Sequence, residues 1–497
     1  MRHETAWAVA GLPPKEADRI RLIFCLVVAA VMAATLFGLA TRLLRDPDSW
    51  WHIKVGLDLL ANHAFPTVDT YSHTFAGHPW IAKEWLAQLL FALAYKAGGW
   101  NGVALLTIAT ISLTLFLTSW YLSGSLKPVA AIGLSFVLAF LAAPVYLARP
   151  HIFTLPLIIV WTAHLFRAAR NEQAPPFWLL ALLCLWANLH GTFTLGFVIA
   201  AFAGLQLLAQ TGLSKARLLA RWVVFGIFCP IVSLLNPYGV EAILATFKVA
   251  YGNEAVARIT EWQSFDASQY MFQEAALLAA FFGLLVSRVR IGWAMAIFVV
   301  FTLHLFLAHI RFLYLFFLLV PVVLASDVAE QYPSLSAARW AAQRRDSLEQ
   351  FCAKRFHALW RGIAALVIVT SAVFVTADEV APSQETSAKD ALAFARNHNL
   401  TGNVLNSYPF GGTLIFHGIK TFIDGRTDQL FLEGFSNADD RMQETRGKSV
   451  LVESLDKYMI QWALLTANDA RIPFFNELGG WSRAYADQYA VIYVRKE

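Results

Sequence analysis

About eleven apolar runs of spanning or near-spanning length fill this chain between Ile20 and Ala377, and they restrict its fold more than any motif does. A bilayer core takes roughly 20 apolar residues in a helix and tolerates no unsatisfied backbone, so such a chain folds as a bundle of spanning helices. The runs are Ile20–Ala40, Val103–Leu122, Pro128–Ala148, His151–Ala169, Phe177–Leu189, Thr192–Ala209, Leu218–Leu235, Phe272–Val286, Ile291–Ala308, Arg311–Ala325 and Gly362–Ala377. Composition agrees: 58% of the 497 residues are hydrophobic and 15% charged, and the mean hydropathy is +0.53, outside the balance of a soluble globular protein. The net charge of +5 is spread over short patches, so no nucleic-acid partner is expected.

The basic residues fix an orientation. Arg2, Lys15, Arg19 and Arg21 precede the first run, which reads as an uncleaved anchor with a cytoplasmic N-terminus. If Lys127, the Arg167/Arg170 pair, the Lys215/Arg217/Arg221 group, the Arg288/Arg290 pair and the Arg339–Arg361 stretch all face the cytoplasm, the links between them alternate correctly. Counting Glu84–Ala97 as a span would reverse every later link, so it is expected as an interfacial helix. Asp48–Leu60 is a second one, with Trp51, Val55 and Leu59 on one face and Trp50 and Trp51 in the headgroup layer.

The conspicuous polar segments then collect on the outer side. They are RDPDSWWH, HPWIAKEW, ARPHIF, NLHG, LLNPYG, ITEWQSF and AHIRF. After Ala377 the pattern turns to mixed α/β: SAKDALAFARNHN as an amphipathic helix, NVLNSY and TLIFHG as strands around PFGG, and KTFIDGR as a further strand. The expected fold is mainly α, a polytopic transmembrane bundle over residues 1–377 with an outer loop at 42–102, followed by a small extracytoplasmic α/β domain over 378–497.

Asp46 and Asp48 flank Pro47. One can bind a divalent ion or orient a phosphate through it while the other takes a proton from a hydroxyl; equally, Asp48 can simply cap the helix that follows. Glu84 is either a further carboxylate of the same site or a first-turn residue favoured by the helix dipole. Arg149 and His151 sit at the outer end of a run, where a guanidinium can clamp a phosphate or merely snorkel. Asn188 with His190, and His309 with Arg311, repeat that placement, and Glu261 and Trp262 lie in the longest outer link between runs. His52, His63, His73 and His78 show no zinc-binding spacing, and Cys25, Cys184, Cys229 and Cys352 no CxxC. GxSxG, Walker and GxGxxG contexts are absent as well.

In this layout, and most specifically between Arg45 and Trp85, the chain resembles the GT-C superfamily of integral membrane glycosyltransferases. DPDSWWHIKVG, GHPWIAKEWL and the FIDGR-x-D segment Phe422–Asp428 also resemble a bacterial group with these three signatures. The resemblance implies inverting transfer of a sugar from a polyprenyl-phosphate-linked donor to a glycan, lipid or protein acceptor outside the cytoplasm, at a bacterial inner membrane. It makes Asp48 or Asp46 the expected base and leaves open a divalent cation, Mg2+ or Mn2+, on that pair. Glu84 joins them as a candidate catalytic carboxylate; His52, Arg149, His151, Asn188, His190, Glu261, Trp262, His309 and Arg311 are candidate substrate-binding residues. WWHIK does not match the WWDYG element of oligosaccharyltransferases, so asparagine-linked transfer is not implied. A transporter or flippase of a lipid-linked or anionic solute is the competing expectation; it requires polar residues at mid-depth and matched broken spans, and Pro156, Pro230 and Pro321 within runs form no such repeat.

Overall fold

A computed structural model describes residues 14–250, 260–287, 289–343, 355–432 and 434–496; Arg2, Arg288, Cys352 and part of the Arg339–Arg361 stretch lie outside them. Among the described residues six helices are long and apolar enough to cross a membrane: Asp18–Phe37, Trp85–Leu122, Pro150–Arg170, Gly191–Ser233, Ile310–Gln331 and Phe356–Thr376. Four shorter apolar helices, Pro128–Leu141, Leu179–Leu189, Met271–Val286 and Trp293–Ala308, complete the bundle. Gly191–Ser233 contains two of the expected runs and turns between them at Gly212, whose φ of 53° suits a residue without a Cβ. The chain is therefore a multi-pass membrane protein.

Its charged links sort by end. Lys127 bonds through its backbone N–H to Leu335, Arg170 pairs with Asp327, and the backbone N–H of Arg290 bonds to Gln331, all at one end of the bundle. The segments holding Asp46, Arg149, His190 and Arg311 meet at the other end.

Trp85–Leu122 is one element broken at Gly99, where φ is 56° and ψ −144°. Beside the break, Asn101 Nδ2 donates to the carbonyls of Phe374 and Ala377 at 3.0 and 3.2 Å, and Glu379 accepts the Trp100 N–H at 3.0 Å. These bonds pin the end of the last span where the chain leaves the bundle.

The C-terminal segment forms a four-stranded sheet in the order β1-β2-β4-β3, with β1 Asn403–Asn406, β2 Ile460–Thr466, β3 Trp481–Ala486 and β4 Ala490–Arg495. β1 is parallel to β2, and the other pairs are antiparallel. Side chains alternate between two cores, as the period of a strand requires. Val404, Trp462, Leu464 and Ile492 face the helix Lys389–Asn397, while Leu405, Ala463, Leu465, Val491 and Tyr493 face the other way.

That second core also takes in Trp51, Val55 and Leu59 of the helix Asp48–Asn62, together with Trp80. The opposite face of the same helix, Trp50 and Ile53, joins the core of the bundle. Trp50 and Trp51 are thus buried in protein, not set in a headgroup layer as the sequence suggested. The reason is that the helix is apolar on two faces and finds protein on both. Two expected strands are also corrected: TLIFHG lies in the helix Gly411–Phe416, and KTFIDGR forms only an isolated bridge from Thr421 to Ser72. Gly411 and Gly412 permit that helix, since a Cβ on either would strike the backbone of Asp424 or Pro47.

Loop and sheet are locked by one buried cation. Arg426 is fully buried, donates through Nε and Nη2 to Asp424 at 2.8 and 2.7 Å, and reaches Asp69 of the loop after the helix Asp48–Asn62 through Nη1. Removing one partner of such a group leaves uncompensated buried charge, which costs about 3–5 kcal/mol. Arg426→Met should therefore lower the thermal unfolding midpoint of the purified protein sharply or abolish its folded peak in size-exclusion chromatography; an unchanged midpoint would contradict this account of the clamp.

Candidate active site

The site begins with the Asp-Pro-Asp turn. Asp46 Oδ1 accepts the backbone N–H of Asp48 at 2.8 Å, so Asp46 orders the start of the helix and the carboxylate of Asp48 is left to point elsewhere. Capping by Asp48 itself, the alternative raised by the sequence, is not what forms. Arg149, held extended in front of Pro150, enters from the far side. Its Nη2 lies 2.7 Å from Asp48 Oδ2, and its Nη1 lies 3.3 Å from Asp46 Oδ2 and bonds Glu261. Three carboxylates from two segments far apart in the chain converge on one guanidinium.

The C-terminal segment supports this turn from behind. A Cβ on Gly425 would stand 1.7 Å from Asp48 Oδ1, and one on Gly412 would stand 2.1 Å from the Pro47 carbonyl. Lys83 pairs with Asp428, and the Gln429 amide exchanges two bonds with the backbone of Ile81, at 3.1 and 3.0 Å. The DPDSWWH, HPWIAKEW and FIDGR-x-D signatures are therefore one structural unit.

In front of the turn opens a cavity of about 590 Å3. Asp46, Asp48, Arg149, His151, His190, Glu261 and Arg311 all line it, with Arg45. Tyr408, Ile423, Thr427, Ser436, Asp439 and Gln443 of the C-terminal segment supply another wall. Arg45 and Arg311 differ from Arg149 in having no ion pair with any described residue. Arg311 lies 4.3 Å over the Trp262 ring, a cation–π contact that leaves its N–H edge available.

Electrostatics separates the acids. Burial raises Asp48 to about 8, against the pull of Arg149 and with the repulsion of Asp46. Burial also raises Asp46, opposed by Arg149 and reinforced by Glu261. Burial would raise Glu261 too, but Arg149, Arg311 and His151 outweigh it and hold the group down at about 2. The carboxylates outweigh burial at Arg149 and hold its pKa well above the ordinary value.

Glu84 and His52 reach the cavity only through His190. Glu84 Oε1 lies 3.2 Å from His190 Nε2, and Oε2 lies 3.8 Å from His52 Nε2. His190 Nδ1 accepts the Thr192 N–H at 3.2 Å, so its proton sits on Nε2 and points at Glu84. Burial keeps both imidazoles neutral and lifts Glu84 to about 7, which makes these polar contacts and not ion pairs.

Asn188, Trp262 and His309 do not line the cavity. Asn188 accepts from Trp85 Nε1 at 2.8 Å and donates to two backbone carbonyls; His309 bonds the Trp262 carbonyl at 2.7 Å, setting the ring under Arg311. Sequence reasoning did not single out Arg45, Tyr408 or Asp439. Arg45 adjoins the acidic pair and could have been found there; the other two lie more than 350 residues along the chain, with no local signal.

No protein-family model and no curated protein matches the chain. Among solved structures the fold is that of ArnT from Cupriavidus metallidurans. The apo form aligns with a TM-score of 0.52 and the form bound to undecaprenyl phosphate with 0.50, each at 12% identity over 94% of this chain and 97% of that one. The chain shares with those structures the fold of a polytopic helical bundle with a small C-terminal sheet.

Gly425 gives a direct check on how Asp48 is placed. Gly425→Ala should cost about 1–3 kcal/mol by overpacking against Asp48, read as a lowered unfolding midpoint, whereas Gly434→Ala, with nothing within 4 Å of its Cβ, should stay near wild type.

Proposed function

We propose that this protein is an inverting membrane glycosyltransferase that moves a sugar from a polyprenyl-phosphate-linked donor to an extracytoplasmic acceptor. The observation that carries the proposal is the division of charge in one cavity: a buried carboxylate held by Arg149 on one side, and on another two cations, Arg45 and Arg311, that form no ion pair with any described residue. The neighbouring ArnT structure, bound to undecaprenyl phosphate, supports the donor class.

The chemistry follows from the parts. Asp48 accepts the proton of the acceptor hydroxyl as that oxygen attacks the anomeric carbon and the bond from that carbon to the phosphate oxygen breaks. The transition state carries oxocarbenium character, and charge builds on the departing phosphate. Arg45 and Arg311 neutralise it, with the low-dielectric walls strengthening the interaction. Arg149 holds Asp46 and Asp48 in register and keeps Glu261 ionised. A proton lost to Asp48 returns to water or to product on release. The acceptor would enter past Tyr408 and Asp439.

A divalent cation would use Asp46 and Asp48, but both are already engaged by the Arg149 guanidinium. Among the described residues no three His, Cys, Asp or Glu side chains are grouped to hold a metal ion, so no step is assigned to one. The positive-inside rule puts the Lys127, Arg167 and Arg170 end in the cytoplasm, which supports an outward-facing cavity and a cytoplasmic N-terminus. Against a transport path, the helix Pro150–Arg170 that runs down from the cavity carries the fully buried apolar side chains Ile158, Ile159 and Trp161 along its middle.

Asp48→Asn, at matched expression, should reduce formation of the glycosylated product by about 100- to 10,000-fold, the usual contribution of a general base, as measured by glycan and glycolipid profiling of the membranes. An unchanged profile would remove the proposal. The pH dependence has a definite sign: Asp48 works ionised, so transfer should fall as the pH drops below about 8 and level off above it.

A further inference from the structure

The other end of the bundle holds a second cavity, of about 450 Å3. The helix Pro150–Arg170 joins the two: His151 at its start lines the first cavity, and Arg167 and Arg170 at its end line the second. At 1.5 Å per residue its 21 residues place the cavities about 30 Å apart, at opposite membrane faces.

Three arginines line this space, and they are not equivalent. Arg170 forms a bidentate pair with Asp327, at 2.6 and 2.8 Å, and is neutralised by it. Arg21 is only 9% exposed, yet no described carboxylate lies within ion-pair distance of it. Its Nε donates to Ser123 Oγ at 2.9 Å, its Nη2 donates to the Trp120 carbonyl, and its plane lies 3.8 Å from the Trp120 ring centroid. Nη1 has no hydrogen-bond partner among the described residues. Arg167, exposed at the cavity, likewise has no ion pair there and only approaches the Tyr121 ring, at 5.8 Å.

A guanidinium buried without a carboxylate is costly unless something anionic completes it. Here the protein fixes the direction of Arg21 through a hydroxyl, a carbonyl and an indole, and leaves one N–H edge toward the cavity. The hydroxyls of Ser125 and Ser326 add donors, and Val322, Val323 and Phe166 form an apolar flank. Planar guanidinium edges with nearby hydroxyls match the oxygens of a phosphate.

We propose that this cavity binds a phosphate group through Arg21 and Arg167, either the headgroup of an anionic phospholipid in that leaflet or a free phosphate anion. Basic pockets between spans are the usual receivers of such headgroups. Occupancy would supply the counter-charge that Arg21 lacks and tie the first span to the ends of Trp85–Leu122 and Pro150–Arg170.

Native mass spectrometry of the full chain in detergent tests this. The ligands are phosphatidylglycerol, phosphatidylcholine with the same acyl chains, and inorganic phosphate as competitor. Wild type should hold phosphatidylglycerol in preference to phosphatidylcholine, and Arg167→Gln should weaken that binding about tenfold, the effect of losing one charge-assisted bond. Arg21→Gln should do the same if it folds; Arg167, being exposed, keeps the test decisive if it does not. Arg149→Gln should leave the adduct in place, which separates this cavity from the first. Phosphatidylglycerol surviving millimolar phosphate assigns the site to lipid, and its displacement, or a phosphate adduct alone, assigns it to the free anion. No adduct with either, equal binding of both lipids, binding unaffected by Arg167→Gln, or loss only in Arg149→Gln would overturn the proposal.

Discussion

The arrangement of the candidate site depends on one guanidinium. Asp46 and Asp48 share the turn after the first span while Glu261 comes from the turn Thr260–Trp262, and nothing local brings Glu261 to the pair. Three carboxylates so close, two of them buried, would repel one another and take up protons; Arg149, between them, turns that repulsion into a shared attraction. The balance is incomplete, since one positive charge faces three acids. Burial pushes Asp48 and Asp46 up, with the repulsion of the neighbouring acids adding to it, while Glu261, which also feels Arg311, stays ionised. A poised proton acceptor beside a permanently charged one is the result.

A second constraint keeps that balance in place. The helix Asp48–Asn62 lies between the bundle and the sheet, with Trp50 and Ile53 packed one way and Trp51, Val55 and Leu59 the other. The Asp-Pro-Asp turn cannot move without disturbing two cores. Gly425 and Gly412 bring the C-terminal backbone against the turn, and Arg426 fastens that backbone to Asp69. The C-terminal segment is therefore part of the site's wall, contributing Tyr408 and Asp439 to the cavity.

Much of this was legible in residues alone. The apolar runs marked the helices, and Asp46, Asp48, Arg149, His151, His190, Glu261 and Arg311 were each noticeable as polar groups at run ends; they line one cavity. Their partners were not legible. Asn188 and His309 share the pattern of His190 and Arg311, yet they bond backbone carbonyls and hold neighbours in place. Both sets are polar residues at the ends of apolar runs, and the direction of the side chain separates them. TLIFHG, with strand-like composition, becomes a helix because two glycines allow it to lie directly on Pro47 and Asp424.

The sequence by itself determined that this chain enters a membrane many times and which links carry positive charge, because hydrophobic length and charge asymmetry are local properties that lipid reads directly. Tertiary structure alone decided that FIDGR stands behind Asp48, that Trp51 faces a sheet and not lipid, and that one arginine pairs with three acids while Arg21 and Arg311 form no ion pair with any described residue. Those outcomes depend on contacts between segments hundreds of residues apart, where shape and the pairing of buried charge select among arrangements that hydropathy treats as equal.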